Sequence, residues 1–150
     1  MLERLALAIG LCLLGVVTFR LVRRAQLSRG AKAALGLDGF QLGRPAILYF
    51  TAPGCGPCLA VQKPALAELA AEFGSRLQIL EVDALERPGL ADAWGVLSLP
   101  TTFIIDAAGR PRRVNQGAAR APRLRDQLAS IGERAPEPAR VSDPANEALR

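Results

Sequence analysis

The chain has 150 residues, half of them apolar, which is room for one ordinary domain plus appendages. It has no histidine and three cysteines, Cys12, Cys55 and Cys58, which excludes Ser-His-Asp and Cys-His catalysis, histidine metal sites and a disulfide scaffold. The formal charge of +5 implies no nucleic-acid partner, because residues 1–32 hold six cations against Glu3 while residues 33–131 hold ten against nine acids.

Leu5 to Phe19 (LALAIGLCLLGVVTF) is an uncharged run of fifteen residues, and Leu21 and Val22 extend it past Arg20. As a helix, Leu5 to Val22 would span roughly 27 Å, close to a ~30 Å hydrocarbon core. A single-pass transmembrane anchor is therefore expected over residues 1–22, with Cys12 as a small apolar residue in mid-span. The alternative is a cleaved signal peptide, but the front end lacks a basic excess and Arg20, Arg23 and Arg24 follow the apolar run. The positive-inside rule then sets the amino terminus outside and the rest of the chain in the cytoplasm, with an extracytoplasmic domain as the alternative. Residues 23–36 read as a basic juxtamembrane linker.

Beyond the linker, strand and helix patterns alternate over residues 37–131. Ala46–Thr51 (AILYFT) is a continuous apolar run suited to a central strand. Cys58–Phe73 reads as a helix ended by Gly74, with Pro64 expected to kink it. Leu77–Val82 is a second strand, and Pro88–Trp94 a short helix stopped by Gly95. Thr101–Asp106 and Arg112–Gln116 form a hairpin whose turn needs positive φ at Gly109. Pro122–Ile131 closes as an amphipathic helix. Residues 132–150, with three prolines and alternating charges, are expected to form a disordered tail.

Chemistry concentrates in Cys55-Gly56-Pro57-Cys58, placed where a strand meets a helix. There Cys55 meets unpaired backbone N–H groups and the positive end of the helix dipole, which favour a thiolate nucleophile. One turn further, Cys58 can resolve a mixed disulfide by attacking Cys55. Pro57 suits a first helical turn, and Gly56 lets a substrate chain approach. A zinc site would need two more ligands than the chain supplies. An inert structural disulfide would close a loop too small to gain much entropy.

Phe50-Thr51-Ala52-Pro53-Gly54-Cys55-Gly56-Pro57-Cys58 resembles the active-site segment of thioredoxins, and Leu99-Pro100-Thr101 resembles their cis-proline loop. The resemblance covers roughly residues 37–131. It implies the thioredoxin fold, an α/β arrangement with a central mixed β-sheet flanked by helices. It also implies a cis Pro100 beside Cys55, and a substrate peptide held along Gly54, Leu99, Pro100 and Thr101. Three departures stand out. Tyr49 replaces the buried acid before the motif, Ile79 replaces the lysine often paired with it, and Gly54 replaces the tryptophan before the first cysteine. In addition, the spacing from Cys58 to Pro64 is one residue longer than in typical soluble members.

The expected function is a thiol–disulfide oxidoreductase reducing protein or peptide disulfides, with no cofactor beyond the redox-active Cys55–Cys58 pair and no metal. Its partners would be disulfide substrates, a dithiol electron donor and a membrane. The alternatives are an extracytoplasmic relative serving cytochrome c maturation or exported thiols, and a binding module without turnover.

Overall fold

Ala46–Thr51 forms β1, buried along its whole length. A strand with no face to offer water takes the middle of a sheet. In the computed structural model β1 pairs in parallel with β2 (Gln78–Asp83) and antiparallel with β3 (Thr101–Ile105). β3 in turn pairs antiparallel with β4 (Pro111–Gln116), giving the order β2-β1-β3-β4. The structure describes residues 2–33 and 37–132; within the first helix, side chains are described at 4, 9–22, 24 and 25.

Alternation along β1 divides the interior. Ile47 and Tyr49 join Leu66, Leu69 and Phe73 of α2 (Lys63–Phe73) and Leu124 and Leu128 of α4 (Ala121–Ser130). Leu48 and Phe50 join Phe103 and Trp94, the last residue of α3 (Pro88–Trp94). The Trp94 and Phe103 rings stand 4.8 Å apart and tilted, with Phe50 edge-on to Phe103 at 6.1 Å, a geometry that favours the ring quadrupoles. Both clusters draw their members from Leu37 to Ile131.

Local polar contacts hold the periphery. The Gln78 carboxamide donates to the carbonyls of Gln41 and Arg44 and accepts from the Gln41 N–H, tying the entry loop to the edge strand. Asn115 and Gln127 exchange two amide hydrogen bonds of 2.8 Å, joining β4 to α4. In the β3–β4 turn Gly109 has φ +78°, and a Cβ there would come within 3.2 Å of Phe40. Glycine is therefore favoured by conformation, and a larger residue would also crowd Phe40.

A single helix, α1 (Leu2–Ala33), runs through both the expected anchor and most of the expected linker, and it approaches α3 and β4. Among the described residues no helix is long and apolar enough to cross a membrane. The transmembrane helix expected over 1–22 is therefore not supported there. The tail expected over 132–150 lies, apart from Gly132, outside the described residues.

Arg125 on α4 grips α2. Its Nε donates to both Glu72 carboxylate oxygens at 2.9 and 3.0 Å, and its Nη2 reaches Glu72 at 2.7 Å and Glu68 at 2.9 Å. The hydrogen bonds from Arg125 hold the Glu72 carboxyl below its ordinary range. A carboxyl depressed in the folded state stabilises above its unfolded pKa, and that contribution is lost as pH falls through the folded value. Glu72→Gln should cost up to about 1 kcal/mol at neutral pH, given the partial exposure of the pair. The deficit relative to the parent should shrink below about pH 4.3, as read by urea unfolding at several pH values.

Candidate active site

Four connections meet at one end of the sheet. β1 and β2 both end there, β3 begins there and β4 returns there. Hydrogen bonds join the connections to one another: the Ala84 N–H donates to the Thr51 carbonyl at 2.9 Å and the Gly117 N–H to the Pro100 carbonyl at 2.8 Å. The chain leaves β1 through Pro53 and Gly54, the latter at φ +76°, and turns into a helix at Gly56. A tryptophan in that left-handed conformation would be strained, so glycine at 54 suits the turn.

Cys55 and Cys58 are bonded to each other, with an S–S length of 2.03 Å and a Cα–Cα distance of 5.3 Å. Cys55 is half-buried at the start of the helix, and Cys58 is fully buried beneath it. Gly54, Gly56 and Pro57 are exposed around them. The Leu99–Pro100 peptide is cis. Leu99 packs against both core clusters, one of which also receives Cys55, so the two segments singled out in the sequence stand side by side. Thr101 is fully buried, its hydroxyl donating to the Ser98 carbonyl at 2.6 Å. At the same end of the sheet Leu59, Leu85 and Leu97 are left 57%, 70% and 71% exposed.

The helix expected over Cys58–Phe73 is two segments. Cys58–Gln62 is a π-helical turn, in which the Lys63 N–H donates to the Cys58 carbonyl, and α2 starts only at Lys63. Beyond the wider turn Leu66, Leu69 and Phe73 of α2 face the sheet core. Pro64 then falls in the first turn of α2, directly after the π-helical turn. Just before the proline expected to kink the helix lies this wide turn, itself a recognised cause of helix bending.

Gln62 closes the π turn and is completely buried. Its carboxamide oxygen accepts from the Ala119 N–H at 2.9 Å, fastening the helix start to the loop that follows β4. Nothing in the sequence marks this residue, since a glutamine among helical alanines looks solvent-facing.

Tyr49 is also fully buried, and its hydroxyl has no hydrogen-bond partner. Burial pushes its ionisation above the ordinary tyrosine value; Thr51, close by but outside good hydrogen-bond geometry, lowers it, Glu81 raises it and Lys63 lowers it. Glu81 and Lys63 form a half-exposed ion pair of 3.1 Å at the border of this layer.

A strand-turn-helix carrying a CXXC disulfide beside a cis-proline loop is an arrangement that can exchange electrons with other disulfides. The thioredoxin family model matches residues 41–130, three-fifths of the chain.

The chain belongs to the thioredoxin family.

It is 41% identical over 56 residues to thioredoxin of Bacillus subtilis, an overlap covering 37% of this chain and 53% of that one. It is 35% identical over 66 residues to thioredoxin of Pyropia yezoensis, covering 44% and 61%. Thioredoxin Y of Oryza sativa subsp. japonica is 33% identical over 90 residues, covering 60% and 52%. The chain thus spans about half to three-fifths of the length of these curated relatives. Among solved structures it resembles chloroplastic thioredoxin z, with a TM-score of 0.57 and 27% identity over 67% of this chain and 86% of that one. A Fasciola hepatica thioredoxin gives a TM-score of 0.53 and 27% identity, over 60% and 83%. The mixed sheet flanked by helices is the thioredoxin fold.

Replacing Gln62 by leucine would leave the Ala119 N–H buried without an acceptor. A loss of about 1–3 kcal/mol is expected, measurable as a lower midpoint in denaturant unfolding of the oxidised protein.

Proposed function

We propose that this chain is a thiol–disulfide oxidoreductase that reduces protein disulfides through a Cys55–Cys58 dithiol. The observation that carries the reading is the unequal burial of two bonded sulfurs at a helix start, one reachable and one not. In the reduced protein Cys55, as thiolate, attacks a substrate disulfide, forming a mixed disulfide and releasing one substrate thiolate. Cys58 then attacks the Cys55 sulfur, releasing the second thiol and restoring the internal disulfide. Two electrons pass to the substrate, and a separate dithiol donor restores them.

Several features support a peptide running past Cys55. The Leu99 edge would pair with its backbone beside cis Pro100 and Thr101, while Gly54 and Gly56 leave room for it. The exposed Leu59, Leu85 and Leu97 favour an unfolded or extended segment with apolar side chains over a compact polar one. A redox-silent binding module would need neither cysteine.

The finer reading concerns α1. Its described apolar side chains, among them Leu11, Leu13, Leu14 and Phe19, are exposed by 60% or more. Such a run needs a cover, and we infer that lipid supplies it, tethering the catalytic domain to a membrane. The basic flank Arg20, Arg23 and Arg24 favours the cytoplasmic side.

In an insulin-reduction assay with a chemical dithiol as donor, Cys55→Ser should lower the rate to background. Cys58→Ser should instead accumulate mixed disulfides visible on a non-reducing gel. Undiminished turnover by the Cys55 variant would remove the assigned nucleophile. For the tether, the full chain should float with liposomes while Leu13→Asp combined with Val17→Asp should not. Equal recovery of both in the soluble fraction would sink it.

A further inference from the structure

The sheet ends on one side at β2, which has β1 on one flank and no further strand on the other. The Gln78 N–H donates to the Pro45 carbonyl, and the Ala84 N–H, just past the strand, to the Thr51 carbonyl. These two bonds fix the parity. Even-numbered residues of β2 turn their backbone groups toward β1, so Ile79 and Glu81 turn theirs outward. The outward carbonyl of Asp83 is taken by the Arg87 N–H. Among the described residues nothing bonds the outward N–H and C=O groups of Ile79 and Glu81.

Side chains leave this edge accessible. The entry loop is held over one face, where Gln41 bonds the Gln78 carboxamide and a Cβ at Gly39 would lie 3.7 Å from Leu80. On the other face Glu81 is half-exposed and paired with Lys63. Ile79 and Leu80 are only partly buried. An outer strand with open backbone groups and its exposed acid neutralised is a template for another strand.

We propose that this edge pairs antiparallel with β2 of a second copy of the chain, about a two-fold axis through Leu80. In an antiparallel pair, outward residues must face outward residues. With Leu80 opposite its own counterpart, Ile79 of each copy faces Glu81 of the other. Each such pair exchanges two N–H···O bonds, so every open group of both residues is used. A register centred on Glu81 would set two carboxylates directly opposite each other, which is unfavourable. One centred on Ile79 would set Glu81 against Leu77, whose N–H already donates to the Gly74 carbonyl. The edge is thus its own complement in a single register, which favours a second copy over a foreign strand. The two-fold stands normal to the sheet. It keeps α1, which approaches α3, on the same side of both copies, and it points the two redox rims in opposite directions, both open. Strands of six residues make less than a standard interface, so the pair dissociates on dilution.

The test is amide hydrogen exchange of the full-length protein in mild detergent, followed by NMR over a range of protein concentrations. Exchange at the Ile79 and Glu81 N–H groups should slow with rising concentration. Ile79→Pro removes one outward donor per copy and leaves the ladder to β1 intact. In that variant the slowing at Glu81 should need about tenfold more protein. Exchange at both amides that ignores concentration overturns the proposal, as does slowing in Ile79→Pro at the concentration that suffices for the parent. Slowing that appears only when an extended foreign peptide is added would assign the edge to that strand and overturn the two-fold pair. Should the proline variant fail to fold, the concentration dependence in the parent chain still decides.

Discussion

Burial of β1 on both faces is the constraint from which the site follows. A strand that offers no side to water must be covered by helices above and below, and its neighbours must shield both edges. The parallel β2 and antiparallel β3 meet that demand, and their senses bring three strand ends and the return of β4 to one rim of the sheet. The chain leaving β1 has to turn at that rim into the covering helix, and the cysteines occupy the turn. One sulfur is left where a partner can reach it and the other under the helix, an inequality that disulfide exchange with a foreign chain requires.

The start of that helix shows how an added residue is tolerated. Inserting one position into an α-helix would rotate everything after it by about 100°, turning Leu66 and Leu69 out of the core. The π-helical turn at Cys58–Gln62 takes up the extra residue within a single turn, and Gln62 fastens the widened segment to the loop after β4. Beyond it α2 presents its apolar side as an undisturbed helix would, with Arg125 clamped to its outer acids.

Much of this was legible in the residues. Ala46–Thr51 and Pro88–Trp94 form over the expected ranges, and the other strands and α4 begin or end within a residue of expectation. Apolar continuity marks a buried strand, and Gly95 and Gly109 mark stops that admit little else. The pairing of Cys55 with Cys58 was equally readable, because two thiols one helical turn apart can close a disulfide. The π turn was signalled only by the long spacing from Cys58 to Pro64, since neither hydropathy nor propensity marks a widened turn. Gln62 was hidden because its value depends on a backbone N–H 57 residues away. Tyr49 was visible as a departure from the family pattern, but only the fold shows its hydroxyl buried and unpaired. At the amino terminus hydropathy suggested separate anchor and linker segments, whereas the backbone follows one continuous helix.

Trp94, the sole indole in the chain, is wedged between Phe50 and Phe103 on the opposite side of β1 from the sulfurs. A strand of close-packed side chains thus screens the chromophore from whatever happens at the disulfide. Its emission should follow loss of the native core while staying nearly blind to electron transfer. Optical readout of turnover in this molecule would therefore call for a label placed on the other side.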